Sequence, residues 1–499
     1  MRLRDPLNPR TLESFLIDTH CHLEMDAFEP DREEVIKRAH DAGIGAIITI
    51  GSDLAGNRGG LELSQKNDFI YASVGFHPHD AKDFTKDIFD QIKTWAKDCS
   101  IKNTNPPLPP FTKGGNTVGA FPIEVQEISG GKIVGIGEIG LDYHYDHSPR
   151  EIQRDVFVKQ LQLAKELDLP VIIHSREAKR DTLAIVSGSG VNKGVFHCFS
   201  GDMDMAERAM ALGFCISIAG PVTFKNAKKL QEITTAIPDD FLLIETDAPY
   251  LTPEPFRGRR NEPAYLIHTA EAIAELRGVS LEDISRITTL NAIRLFRIGE
   301  MPGKGEIAYK IRDNLYLNIT NRCTNRCSFC IRFHSDYVKG HNLRLMDEPT
   351  EEEVKQAIGD PAQYQEIVFC GYGEPLLRLD LVKNVAKWIK LRNGKVRINT
   401  NGHGNLIYGR NILPELQGIV DSISISLDAQ DKETYNKICK PSFENAYAGV
   451  LSFIREAQKF IPHVQVTAVT LPGVDIEECR RVAGELGVRL RVRKLDAVG

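Results

Sequence analysis

At 499 residues the chain is longer than a single hydrophobic core usually allows, so two or more domains are expected. Its 42% hydrophobic and 26% charged residues are typical of a globular protein, and no apolar run reaches the ~18 residues that would predict a transmembrane helix. The formal net charge of −6 argues against a long non-specific nucleic-acid footprint, but not against a small basic patch inside a cleft.

Residues 1–14 are predicted to form a polar N-terminal tail. They lack the apolar stretch of a secretory signal, so a cytoplasmic protein with no membrane partner is expected.

Eight short apolar, β-branched runs follow between residues 15 and 298. Amphipathic segments such as Arg32–Ala42 and Gln153–Leu167 separate most of them. This alternation of strands and helices predicts an α/β fold, specifically a TIM-like (β/α)8 barrel. The alternative is a doubly wound open sheet, which more usually has five or six strands. The predicted strands are Phe15–His22, Ala46–Gly51, Tyr71–Pro78, Ile133–Asp142, Pro170–Arg176, Gly194–Ser200, Cys215–Gly220 and Leu242–Pro249.

Metal-type side chains stand at the ends of several of these strands. Because the carboxyl ends of barrel strands converge on one mouth, we expect these side chains to meet there. The alternative is a set of unrelated polar strand caps. The donors suit two divalent ions, such as zinc, magnesium or manganese, and Glu138 could bridge them. The candidate ligands are His20, His22, Glu138, His174, His197 and Asp247, and His77 is a candidate substrate contact.

Four motifs carry a resemblance to a known family. They are DTHCHL at residues 18–23, GEIGLD at 137–142, HCFSG at 197–201 and ETDAPYL at 245–251. Together they resemble the TatD family of metal-dependent hydrolases, in the amidohydrolase superfamily. The resemblance implies phosphodiester hydrolysis, as a DNase or 3′-exonuclease, with a nucleic acid or nucleotide as substrate.

The resemblance also implies a ligand set and catalytic roles. His20, His22, Glu138 and Asp247 would hold one ion, while Glu138, His174 and His197 would hold the other. Asp247 would orient or deprotonate the attacking water, so Asp247 and Glu138 are the candidate catalytic residues.

Two stretches lie outside these motifs. Residues 99–131 are rich in proline and glycine and predict a flexible or polyproline-like insertion before the fourth strand, opposite the mouth. After the eighth strand, Arg257, Arg259 and Arg260 are candidates for pairing with substrate phosphate, and a solvated loop is the alternative.

A glycine- and proline-rich linker is predicted at residues 299–307, before a second domain at 308–499.

In the second domain, a strand at Asn314–Thr320 leads into Cys323, Cys327 and Cys330, three of the ten cysteines of the chain. Three thiolates with this C-x3-C-x2-C spacing can hold three irons of a 4Fe–4S cluster and leave the fourth open. A structural zinc with a distant fourth ligand is the alternative. The remaining cysteines of this domain lack paired spacing, so no second cluster is indicated.

This spacing, with Phe329 just before the last cysteine, resembles the radical S-adenosylmethionine (radical SAM) superfamily. The stretch VFCGYGEP at 368–375 resembles the strand that binds the methionine amino group, with Tyr372 where many members have glycine. Six predicted strands suit a partial (β/α)6 barrel. The stretch NTNG at 399–402 resembles the ribose-contacting strand. The candidate cofactor-binding residues are Phe329, Gly371, Gly373, Glu374, Asn399, Asn401, Ser426 and Asp428.

The resemblance implies one 4Fe–4S cluster, S-adenosylmethionine and an electron donor such as flavodoxin or ferredoxin. A 5′-deoxyadenosyl radical would take hydrogen from a substrate that the sequence does not identify.

We therefore interpret the chain as a bifunctional enzyme, a phosphodiesterase fused to a radical enzyme. Two alternatives are a deacylase acting on charged tRNA in place of the phosphodiesterase, and a radical half that is only a cluster-bearing regulatory module.

Overall fold

The computed structural model describes residues 15–98, 132–299, 305–333 and 335–494. The predicted tail at 1–14, the insertion at 99–131 and most of the predicted linker therefore lie outside the described residues. The chain divides into two compact units, Met1–Met301 and Pro302–Gly499. None of the described helices is both long and apolar enough to cross a membrane.

The first unit is a parallel eight-stranded barrel with its strands in chain order, as the sequence predicts. The strands are β1 (Leu16–Cys21), β2 (Ile44–Ile50), β3 (Ile70–Val74), β4 (Ile133–Asp142), β5 (Val171–Arg176), β6 (Gly194–Phe196), β7 (Phe214–Ile218) and β8 (Leu242–Ile244). The helices are α1 (Arg32–Asp41), α2 (Leu54–Lys66), α3 (Lys86–Asp98), α4 (Arg150–Leu167), α5 (Lys179–Ser189), α6 (Met203–Ala211), α7 (Lys228–Ala236), α8 (Leu266–Arg277) and α9 (Leu281–Phe296).

The barrel closes between the end of β1 and the segment after β8. Cys21 and Ala248 form a parallel bridge. The His22 amide donates to the Ala248 carbonyl at 2.8 Å, and the Asp247 amide donates to the His20 carbonyl at 2.9 Å. Closure therefore brings the predicted ligands of β1 and β8 side by side.

Helix α9 seals the amino-terminal end of the barrel. Its residues Ile293 and Phe296 belong to the same buried cluster as the inward-facing Ile17 and Ile48. The neighbouring Ile47 points the other way, into the core under the outer helices, as the alternation of a strand requires. A capping box between Ser280 and Asp283 starts α9.

The second unit contains a seven-stranded sheet, in which β10, β13, β14, β15, β16 and β17 are parallel and β9 is antiparallel to β10. Its strands, with the separate β11–β12 pair, are β9 (Ala308–Ile311), β10 (Asn314–Leu317), β11 (Tyr337–Val338), β12 (His341–Asn342), β13 (Glu366–Phe369), β14 (Val396–Thr400), β15 (Ser422–Ser426), β16 (His463–Thr470) and β17 (Arg489–Lys494). The helices are α10 (Glu351–Ile358), α11 (Leu379–Lys390), α12 (Gly404–Tyr408), α13 (Lys432–Cys439), α14 (Ala446–Ala457) and α15 (Ile476–Glu485).

The six parallel strands agree with the predicted (β/α)6 barrel, while β9 was not predicted. It joins β10 through the two residues Arg312 and Asp313, and Arg312 has a φ of 55°. In a two-residue hairpin turn, a residue with positive φ is usually glycine or asparagine, and neither is present here.

We expect the first unit to fold without the second, because its strands close and α9 completes its core. A chain ending at Gly299 should keep a cooperative thermal transition, measured by far-ultraviolet circular dichroism. A chain ending at Asn291 is the control. It loses Ile293, Phe296 and Ile298 from the barrel floor and should not fold. An unfolded Gly299 chain would contradict the expectation.

Candidate metal centre and candidate iron–sulfur site

Glu138 lies at the centre of the barrel mouth, with only 4% of its surface exposed. Its Oε1 lies 2.8 Å from His197 Nε2 and 2.9 Å from His174 Nδ1. Its Oε2 lies 3.5 Å from His20 Nε2 and 3.7 Å from His22 Nε2. Oε1 thus faces His174 and His197, and Oε2 faces His20 and His22.

Asp247 stands beside the β1 histidines. Its Oδ1 lies 3.6 Å from His22 Nε2 and 3.7 Å from His20 Nε2. The ligand atoms of His20, His22 and Asp247 all lie within 4.8 Å of one another, as do those of His20, Glu138 and His197. The structure therefore brings all six predicted ligands together in a donor set of imidazoles and carboxylates, which suits divalent metal ions.

Asp18 ties the two strands that carry this half of the site. Its carboxylate accepts hydrogen bonds from the Thr246 amide at 2.9 Å, the Thr246 hydroxyl at 2.6 Å and the His20 amide at 3.3 Å. Burial raises the pKa of Asp18 to about 7, and the hydrogen bonds oppose that rise. Asp18 is not among the residues predicted from the sequence, although a carboxylate inside an apolar strand was a usable signal.

Outer partners orient the ligand rings. His22 Nδ1 donates to the Ile50 carbonyl at 3.1 Å, which leaves Nε2 free to face the centre. His174 Nε2 lies 3.0 Å from Asp142 Oδ2, which leaves Nδ1 facing Glu138. These contacts select, for each ring, the nitrogen that a metal ion would use.

Three carboxylates that contact the candidate ligand histidines were not predicted from the sequence. Asp142 is fully buried, Glu245 is fully buried with one oxygen 3.4 Å from His197 Nδ1, and Glu24 lies 3.4 Å from His22 Nδ1. All three stand within or next to the quoted motifs, but sequence alone does not show which ring nitrogen each one contacts.

The electrostatic field of the site favours an ionised Glu138 and a neutral His77. Burial alone would raise the pKa of Glu138, but the nearby His197 and His77 outweigh burial and hold it well below its ordinary value. Burial lowers the pKa of His77 to about 4. His77 Nε2 lies 3.3 Å from Glu138 Oε1, so this predicted substrate contact also lies within reach of the metal centre.

The predicted phosphate-binding arginines have different surroundings. The Arg260 guanidinium donates to both oxygens of Asp31, at 2.7 and 2.8 Å, and to the Ala27 carbonyl at 2.6 Å. Arg257 lies over the Phe224 ring at 4.2 Å and Arg259 over the Phe256 ring at 5.6 Å, and both are exposed. Arg257 and Arg259 are thus more available to a ligand than Arg260.

In the second unit, the cysteine loop follows β10 and rests against the end of α13. The Arg326 amide donates to the Cys439 carbonyl at 2.9 Å, and the Ser328 amide to the Ile438 carbonyl at 2.8 Å. The three described ligand groups compact enough for a single ion all lie in the barrel, and none contains a cysteine.

Cys323 accepts two N–H···S contacts. The Asn325 amide lies 3.4 Å from its Sγ, and Asn401 Nδ2 lies 3.7 Å from it. Asn401 also donates to Thr324 Oγ1 at 2.8 Å and accepts from the His403 amide at 3.0 Å. Asn401, predicted to bind the cofactor ribose, here supports the cysteine loop.

Glu374 is buried between the cysteine loop and β14. Its carboxylate accepts from the Asn401 amide at 2.7 Å and from Thr400 Oγ1 at 2.8 Å. Burial raises the pKa of Glu374 to about 7. Its own amide donates to the Arg322 carbonyl at 2.8 Å, so it couples the glycine-rich turn to the loop.

Gly371 and Gly373 allow this turn to approach β10 closely. A Cβ at Gly373 would lie 2.3 Å from the Arg322 carbonyl oxygen and 2.4 Å from that of Thr320. A Cβ at Gly371 would lie 2.2 Å from Asn318 Oδ1. The glycines thus let this turn pack directly against the segment that leads from β10 into the cysteine loop, which places the turn beside the cysteines.

The remaining predicted cofactor residues lie near the carboxyl ends of the strands. Asn399 and Ser426 lie on β14 and β15, and Asp428 follows β15. Asp428 is buried, and burial raises its pKa to about 7. Phe329 is half-buried within the cysteine loop and packs against the core of the unit.

Comparison with known proteins identifies both units. A family model described as TatD related DNase matches residues 17–104 and 117–297, more than half of the chain. The chain belongs to the TatD family. A model of the radical SAM superfamily matches residues 317–486, so a radical SAM domain follows the TatD barrel.

Relatives of the TatD barrel include the uncharacterized metal-dependent hydrolase YabD of Bacillus subtilis, 44% identical over 57% of this chain and 99% of YabD. The 3′-5′ ssDNA/RNA exonuclease TatD of Pectobacterium parmentieri is 32% identical over 57% of this chain and 100% of its own. The solved structure of YJJV, a TatD homologue from Escherichia coli, is 29% identical, covers 58% of this chain and 100% of its own, and gives a TM-score of 0.49.

We predict that Glu138→Gln lowers the metal content from about two ions per chain to at most one, and hydrolysis by at least about 100-fold, because an NH2 group replaces one of the two carboxylate oxygens and the negative charge is lost. Metal would be counted by mass spectrometry. Glu177→Gln is the matched control, since its carboxylate also lies on a mouth loop but bonds His144 at 2.8 Å. Two ions retained in Glu138→Gln would contradict the bridging role.

Arg260→Ala should lower the free energy of unfolding by about 1 kcal/mol, because it removes a bidentate pair with Asp31. Arg257→Ala and Arg259→Ala should leave stability nearly unchanged and weaken nucleic-acid binding with a smaller dependence on salt. Urea denaturation and binding titrations would measure these effects. An unchanged salt slope in both variants would assign these arginines to a solvated loop.

Cys327→Ala should lose the iron absorbance and all cleavage of S-adenosylmethionine, because a 4Fe–4S cluster of this type needs three thiolates. The barrel ligands lie on other strands, so hydrolysis should be unchanged. Cys479→Ala, in α15, is the control and should keep its iron. Four irons retained in Cys327→Ala would require a different ligand set.

Proposed function

We propose that the TatD barrel is a two-metal phosphodiesterase acting on nucleic acid, and that the second unit is an active radical SAM enzyme. The first part rests on one observation above all, the division of the two Glu138 oxygens between two pairs of histidines. The exonuclease named among the relatives supports a nucleic-acid substrate.

Two divalent ions bound by these residues would supply an activated water and would offset the charge that develops on the phosphoryl oxygens. His20, His22, Glu138 and Asp247 would hold one of them, and Glu138, His174 and His197 the other.

Asp247 is suited to act as the base. Burial alone would raise its pKa, but contacts with His22 and His20 outweigh burial and lower it, so the carboxylate is ionised at neutral pH. Its side chain is 14% exposed, more than those of Glu138 or His20, so a water can reach it. Asp247 would orient that water and take its proton, while a neutral His77 could donate a hydrogen bond to a phosphoryl oxygen.

In the second unit, Cys323, Cys327 and Cys330 would hold a 4Fe–4S cluster, which supplies the electron for reductive cleavage of S-adenosylmethionine. The glycine-rich turn at Gly371 and Gly373 would bind the methionine portion. A flavodoxin or ferredoxin is the proposed electron donor.

The hydrolase proposal is tested with end-labelled single-stranded DNA, duplex DNA, RNA and aminoacyl-tRNA. We expect stepwise shortening of single strands, reduced by at least about 100-fold in Asp247→Asn because the base is lost. Hydrolysis of aminoacyl-tRNA without any cleavage of nucleic acid would favour the deacylase instead.

The radical proposal is tested by anaerobic reconstitution with iron, sulfide and a chemical reductant. Release of 5′-deoxyadenosine that is absent in Cys327→Ala would support an active enzyme. A fully loaded cluster that never releases 5′-deoxyadenosine, even with a flavodoxin donor and a nucleic-acid panel, would favour a regulatory module.

A further inference from the structure

A cavity of about 380 Å³ opens between the β5–α5 and β6–α6 loops. Its walls include Ser175 and Arg176, which directly follow the candidate ligand His174, and Ser200, three residues after His197. The loops that form the cavity therefore start at the strand ends that carry His174 and His197.

Two positively charged side chains that line this cavity have no acidic partner among the described residues. Within the part of the chain that the structure describes, Arg176 and Lys229 make no salt bridge, and both are exposed. The third cation, Lys179, is held by Asp202 at 2.6 Å and Asp204 at 2.8 Å. The cavity acids are likewise engaged, since Asp202 binds Lys179 and Glu177 binds His144. Arg176 and Lys229 are therefore the two cavity cations that remain available to an anion.

An exposed aromatic ring lies beside Arg176, one of the residues that line the cavity. The Arg176 guanidinium lies 4.7 Å from the centre of the Tyr145 ring, which is 50% exposed and stacked on His147. The Tyr145 amide donates to Asp142 Oδ1 at 2.9 Å, and Asp142 Oδ2 contacts His174. The ring is thus held at a fixed position relative to the metal centre.

We propose that this cavity is the binding site for the nucleotide next to the scissile phosphodiester of a single-stranded nucleic acid. Arg176 and Lys229 bind the neighbouring phosphate, and Tyr145 stacks on the neighbouring base. The proposal rests on the nuclease function proposed above and names the part of the substrate that this side of the mouth recognises. Base stacking on an aromatic ring beside a cationic groove is a common way to hold single strands without reading their sequence.

The phosphate half of the proposal is tested with Arg176→Gln and Lys229→Gln on an oligothymidylate. Each variant should raise KM about tenfold, leave kcat within about twofold and reduce the salt slope of kcat/KM by about one. Lys179→Gln is the matched control, because it lines the same cavity but is already paired, and it should change KM less than about twofold. Bis(p-nitrophenyl) phosphate, a diester with no neighbouring nucleotide, should be hydrolysed equally by all of these variants.

The base half is tested with an oligonucleotide that carries abasic sites. Wild-type enzyme should prefer the intact strand about tenfold in kcat/KM. Tyr145→Ala should lose this preference, and Tyr145→Phe should keep it.

The outcomes separate the two proposals. Cleavage of oligothymidylate with equal KM in wild type and Arg176→Gln would overturn the cavity site and leave the nuclease standing. Hydrolysis of the small diester without any cleavage of oligonucleotides in wild type would overturn the nuclease and this site together.

Discussion

The buried carboxylate of Glu138 is the constraint on which the metal centre depends. An isolated carboxylate in such an interior would cost several kcal/mol, and it would be expected to neutralise itself by taking up a proton. The barrel instead surrounds it with four imidazoles from three strand ends, two near each oxygen. The Ile50 carbonyl and Asp142 fix two of these rings in turn, those of His22 and His174. Without a partner for both oxygens, the mouth of this barrel would carry an uncompensated charge.

The same constraint explains why the closure of the barrel matters to function. His20 and Asp247 come from opposite ends of the first unit in sequence, and the hydrogen bonds between the ends of β1 and β8 place them together. Asp18 reinforces this junction through Thr246. A local change at this junction would therefore alter the metal centre before it unfolded the barrel.

The sequence predicted the barrel and the six candidate ligands that meet at its mouth because that information is local. A strand is visible as an apolar run, and a candidate ligand such as His174 is visible as a polar residue where the run ends. Arg260 shows the limit of such reasoning, since its partner Asp31 lies 229 residues away and no residue near Arg260 in the sequence indicates this pairing. Asn401 shows the same limit, because its motif predicts a ribose contact and only the folded chain shows that its amide supports the cysteine loop. Strand β9 was missed for another reason, since it is short and lacks a glycine or asparagine turn.

The central claim is that Glu138 joins two metal ions, and the most direct measurement is electron paramagnetic resonance of the protein loaded with manganese(II). The account predicts an exchange-coupled pair with a separation of about 3.5–4 Å. The coupling should disappear in Glu138→Gln and persist in Glu177→Gln. A spectrum of isolated manganese(II) ions in the fully loaded wild-type protein would contradict the account.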